Sequence, residues 1–203
     1  MDYFEFFALP HKLTLDVVAL EKQFYTMSRR LHPDRFAAKP VAEQEAALAQ
    51  ASQLNDAYRT LKDPILRTQY LLKLEGVELE EQSKAATEAA RATGTQKKQV
   101  VPPELLEEVF ELNMQLQEMR AANQMGEDEP ELRRDLMTAK DSFDAKMVET
   151  QDELEELWSA WDAAVDAGNE AAKARARDAI VELLNKRSYL RNLVRDVNEA
   201  LGL

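Results

Sequence analysis

Residues 20–36 read LEKQFYTMSRRLHPDRF, a well-patterned helix stopped by a His-Pro-Asp that no packing requirement explains. Extended back to Val17, the segment repeats Val17, Leu20, Phe24, Met27 and Leu31 at alternating spacings of three and four, which is one apolar stripe on a helix. The opposite side carries Lys22, Thr26, Arg29 and Arg30. Pro33 and Pro40 lack the amide hydrogen and restrict the residues before them, so the helix is expected to stop near Leu31. Thr14 or Asp16 is placed to cap its start.

Working outward, Ala47, Ala51, Leu54, Tyr58 and Leu61 repeat the same spacing across a helix expected over 41–61. Two such stripes face each other in an antiparallel hairpin with HPDRFAAKP between them. A short helix fits DYFEFFAL, closed by Pro10. A fourth fits DPILRTQYLLKLEG, where Asp63 caps, Pro64 takes the first helical position and Gly76 lies beyond the end. Few β-branched runs and only five Gly among 203 residues make the whole chain all-α. From Val77 to Val101 the periodicity fades into polar, Ala-rich sequence, read as a linker over 76–102. Helices are then expected over 103–122, 131–167 and 170–201, packed as an antiparallel three-helix bundle. In the middle one Leu132, Leu136, Phe143, Met147, Leu154, Leu157, Trp158, Trp161 and Val165 form the seam, with both tryptophans as core.

Composition narrows the function. With no Cys the chain holds no disulfide, thiolate metal site or cysteine nucleophile. The 38 acidic and 26 basic residues give a net charge of −12, which disfavours nucleic acid and anionic membranes as partners. Residues 1–75 are balanced at ten of each sign, so the excess lies wholly in the remainder and the two regions present different surfaces. Neither a positively charged leader nor a run long enough to span a bilayer is seen, and a cytoplasmic protein is expected. His11 and His32 stand apart with no carboxylate pattern such as H-E-x-x-H, so neither enzymatic catalysis, a metal site nor a cofactor is expected.

On its own, His-Pro-Asp is a common loop tripeptide. In its setting it resembles a J domain, through DYFEFFALP, LEKQFYTMSRRLHPDRF and LNDAYRTLKDPILRTQYLL, together covering residues 1–75. That resemblance implies that His32, Pro33 and Asp34 engage a DnaK-class chaperone and promote its ATP hydrolysis, with Lys22, Arg29, Arg30 and Arg35 meeting an acidic surface. The ordinary alternative for those cations is a solvated helix face. General J proteins add Gly/Phe-rich and Cys-rich modules, for which this chain has neither the Gly nor the Cys.

A J domain ending in YLLKLEG, then a linker, then a helical bundle over 103–203, resembles the HscB family of co-chaperones, as do PELLEEVFEL and RSYLRNL. The family likeness implies an HscA-like chaperone as one partner and an IscU-like iron-sulfur scaffold as the other, bound on an apolar patch with acidic neighbours. At 100° per residue, Leu105, Val109, Leu112, Leu116 and Met119 make a core stripe, leaving Leu106, Phe110 and Met114 to one side. Leu106, Phe110 and Tyr189 are taken as the scaffold patch, with Leu193 at its margin and Glu107 and Glu111 as charged neighbours. Met114 is assigned to a second core stripe. Glu107 stands where the family pattern has an apolar residue, so the footprint departs from the family's there; a J protein delivering a different specific client is the alternative reading.

Overall fold

The computed structural model describes residues 1–77, 79 and 101–203, and every regular element among them is helical. Most of the expected linker, residues 78 and 80–100, lies outside the described residues.

Seven helices of four residues or more are described: α1 (Tyr3–Phe6), α2 (Val17–Leu31), α3 (Val41–Lys62), α4 (Pro64–Leu74), α5 (Leu106–Met125), α6 (Pro130–Asp166) and α7 (Glu170–Leu201). Three-residue 3₁₀ turns cover Pro33–Arg35 and Pro103–Leu105. The helix ends follow from local chemistry. Asp2 caps α1 by accepting from the Glu5 amide at 2.9 Å while Glu5 accepts from the Asp2 amide at 2.9 Å. Asp16, not Thr14, caps α2 through the Ala19 amide. Asp63 accepts from the Leu66 amide at 2.8 Å and Pro64 opens α4, as its sequence requires. Helix α1 is shorter than DYFEFFAL suggests. Ala8 takes a left-handed φ of 51°, and the Ala8 and Leu9 amides fold back on Glu5 and Phe4, closing the helix ahead of Pro10.

The chain forms two compact units, one of Met1–Glu78 with Trp158–Arg177 and one of Leu79–Leu157 with Asp178–Leu203. This division differs from a boundary drawn at the linker, because the tip of the α6–α7 hairpin groups with the N-terminal residues.

In the first unit α2 and α3 form the hairpin, with α1 and α4 against α3. Leu20, Ala47, Leu54 and Leu61 are buried, as their stripes predict, together with Phe4, Phe7, Leu13, Leu71 and Leu72. Phe24 stacks on Tyr58 with centroids 4.1 Å apart, which ties α2 to α3, and Tyr3 stacks on Tyr70 at 4.5 Å, which ties α1 to α4. Trp158 and Trp161 are core, as expected, but of this unit.

In the second unit Leu105, at the end of the 3₁₀ turn, and Val109, Leu112, Leu116 and Met119 of α5 form one buried stripe, against Leu136 and Phe143 of α6 and Leu190, Val197 and Leu201 of α7. The up-down-up order shows at one end, where Asn123 of α5 donates to the Ala200 carbonyl and Arg133 of α6 donates to that of Leu201. Gly126 ends α5 with φ 72°, a conformation that excludes most side chains.

Candidate interaction surfaces

His32 is the C-cap of α2. Its extended backbone, φ −61° and ψ 131°, is what a following proline imposes. The Arg35 amide then donates to the His32 carbonyl at 2.9 Å, closing the 3₁₀ turn, and an Arg35 guanidinium nitrogen reaches the Arg29 carbonyl at 3.4 Å. The His32 Nδ1 stands 3.4 Å from both the Asp34 amide nitrogen and Asp34 Oδ2, able to accept from one or donate to the other according to its protonation. Both side chains are more than half exposed, Asp34 at 89%. Two directional polar groups are thus presented outward on a turn whose backbone is already ordered, which lowers the entropy lost on binding. Gln44 of α3 donates to the Lys39 carbonyl at 2.8 Å and steadies the far side of the loop.

Lys22, Arg29, Arg30 and Arg35 are all exposed. Lys22 and Arg29 lie along one line of α2 with Val18 and Tyr25, which are 78% and 55% exposed. Sequence reading passed over these two, yet Val18, Lys22, Tyr25 and Arg29 keep a four-three-four spacing that places them on a single face. An exposed aromatic among cations is the composition of a protein contact more than of a merely solvated face. Arg30 turns away from this line and borders a groove with Met27, Leu31, Gln50 and Gln53.

The second surface lies on α5. Leu106, Phe110 and Met114 are 55%, 69% and 58% exposed. Met114 corrects the second-stripe expectation: it lies about 200° round the helix from the inward Leu112, and three helices close only one broad side of each. Leu193 is corrected in the other direction. It falls on the α7 stripe with Leu190 and Val197 and is a buried core residue, so it offers no surface. Tyr189 is half-buried against the same core, and burial, with Asp196, pushes its phenol above the ordinary value. The apolar surface is therefore a three-residue stripe along one helix. Glu107 and Glu111 flank it, both exposed, while their neighbours Glu104 and Glu108 are engaged by Lys186 at 3.4 Å and Lys146 at 3.1 Å.

A basic-faced helical hairpin closed by a His-Pro-Asp turn in which His32 and Asp34 are exposed, with short helices beside it and a helical bundle later in the chain, is the architecture of a J domain joined to a helical domain. No family model matches the chain. A curated relative, a co-chaperone protein HscB homolog from Vibrio cholerae, is 48% identical over 79 residues, a stretch covering 39% of this chain and 46% of that protein. The match thus spans about half of that relative's length. Among solved structures, the chaperone HscB from Vibrio cholerae superposes with a TM-score of 0.56 at 26% identity, over 98% of this chain and 96% of the other. The human co-chaperone HscB has the same fold, with a TM-score of 0.59 at 22% identity over 100% of this chain and 84% of its own. In sequence and in architecture the chain is similar to HscB-type co-chaperones. No helix among the described residues is long and apolar enough to cross a membrane.

Proposed function

We propose that the chain is a cytoplasmic co-chaperone that stimulates ATP hydrolysis by a DnaK-class, HscA-like chaperone and delivers to it an IscU-like iron-sulfur scaffold. The observation that carries this reading is the His32–Pro33–Asp34 turn, with the His32 and Asp34 side chains exposed, at the foot of a cationic helix. Pro33 sets the turn, His32 and Asp34 supply directional contacts, and Lys22, Arg29 and Arg35 guide encounter with an acidic surface. Arg30, beside its groove, contributes at the edge of the same contact. In the second unit Leu106 and Phe110, joined by Met114, are the apolar anchor for the scaffold, with Glu107 and Glu111 for its basic groups. Tyr189 takes part through its exposed edge, and Leu193 only by packing beneath it.

The test is ATP hydrolysis by an HscA-type chaperone with the chain, with the scaffold, and with both. Synergy is expected, and Asp34→Asn, which touches an exposed residue, is expected to abolish it with helical content intact. Stimulation that survives Asp34→Asn overturns the reading. Glu107, an acid at the border of the apolar stripe where the family pattern has an apolar residue, favours the second reading of a J-domain co-chaperone for another client. Stimulation indifferent to the scaffold would establish that reading.

A further inference from the structure

In the second unit Glu108 pairs with Lys146 of α6 and Glu104 with Lys186 of α7, which fixes the level at which α5 starts beside the other two helices. Beyond that level α6 and α7 border a groove of about 590 Å³, with Pro102 and Pro103 at its edge. On α6 Glu153, Glu156 and Leu157 line it, and on α7 Ala179, Glu182 and Leu183 do. Each set keeps the three-four spacing of one helix face. Two helices packed side by side leave open the position a third would take, and among the described residues no helix takes it here.

The floor is apolar, for Leu157, Ala179 and Leu183 are each part-exposed within it. The rim is acidic. Glu153, Glu156 and Glu182 are exposed and pair with no cation among the described residues, while Lys186, which also lines the groove, is already engaged by Glu104. An apolar centre with a charged border is the anatomy of a protein contact. A small-molecule cleft places polar groups inside, and no buried polar side chain among the described residues lines this one. The groove also meets the α5 stripe: Pro103 and Glu104 stand just before Leu106, and Lys186 lies one turn before Tyr189. We propose that the groove extends the scaffold contact and takes a segment of the scaffold whose apolar side chains are flanked by lysine or arginine, an inference that rests on the scaffold reading above. Glu153, Glu156 and Glu182 select that segment by charge, adding to Glu107 and Glu111 on the adjoining surface.

Titration calorimetry and stopped-flow association of the full chain with an IscU-type scaffold, at low and at physiological salt, test this. Glu153→Gln/Glu156→Gln/Glu182→Gln removes the rim charge and is expected to weaken binding roughly three- to thirtyfold, mainly by slowing association, and to flatten its salt dependence. Glu127→Gln/Asp128→Asn/Glu129→Gln removes as much charge at the far end of α5, roughly 30 Å away, and is expected to change affinity less than about twofold. Ala179→Arg fills the floor and brings a cation to it, and is expected to weaken binding about tenfold or more with helical content kept. Equal weakening by the rim and loop variants would reduce the effect to overall charge and overturn the proposal, as would affinity unmoved by Ala179→Arg. A fall in melting temperature with scaffold affinity unchanged assigns the groove to the chain's own packing and overturns it too. If Phe110→Ala weakens binding and the groove variants do not, the groove lies outside the contact and the scaffold reading stands; a parent chain that binds no scaffold overturns both.

Discussion

Paired alanine substitutions at Leu193 and Phe110 separate core from contact surface. Leu193 is 7% exposed and packed with Leu190 and Val197, so Leu193→Ala leaves a cavity and is expected to destabilise by about 2–5 kcal/mol. For a chain of this length each kcal/mol lowers the melting temperature by about 2–4 °C, giving a fall of roughly 4–20 °C. Phe110 is 69% exposed, so it retains less than a third of the burial that is worth about 1.5–3 kcal/mol to a fully enclosed side chain. Phe110→Ala should therefore cost less than about 1 kcal/mol and shift the melting temperature by no more than ~4 °C. Its effect is expected in the affinity for an IscU-type scaffold, weakened about tenfold or more if Phe110 is an anchor. Thermal unfolding by circular dichroism and titration calorimetry report the two quantities on the same samples. Equal losses of stability from the two variants would refute the placement of Phe110, and unchanged scaffold affinity would refute its role.

Asp63→Ala removes the acceptor for the Leu66 amide at the start of α4 and is expected to cost about 1 kcal/mol, read as a fall of roughly 2–4 °C in the melting temperature. Asp2 supplies a pH dependence. Burial raises its pKa, but the Glu5 amide and His11 outweigh that and hold it below 3.8. A depressed carboxylate stabilises the fold fully above its unfolded value, and that contribution is lost as the pH falls through the folded value. Asp2→Asn keeps a capping oxygen and loses the charge, so the stability difference from the parent, followed by urea unfolding, should be present at pH 6 and vanish towards pH 2.

Much of this fold can be read from periodicity because its helices are amphipathic and their ends carry explicit caps. Val17 to Leu31 and Leu105 to Met119 show their buried faces in the spacing alone, and Asp63-Pro64 marks a boundary to the residue. The His32–Asp34 turn was legible for a related reason: a proline where the pattern would continue demands a cause. Exposure on the bundle was harder. Leu193 and Met114 were both misjudged because spacing gives the angle between residues on one helix and not which arc its neighbours cover. Asp162 was invisible, since a lone acid in an acidic helix has no local signature, and its partners Leu13 and Thr14 act through backbone atoms that any sequence supplies.

The Leu13 amide donates to Asp162 Oδ1 at 2.7 Å and so joins residues 149 apart, which bears on how the chain is born. Contacts at such separation are entropically late, and a nascent N-terminal region cannot complete itself from its own residues. Between Glu78 and Asp162 lie roughly 80 residues, which a ribosome adding about 5–20 per second takes on the order of 4–16 s to make. Throughout that interval Leu13 awaits its counterpart, so the first unit emerges first and is finished among the last.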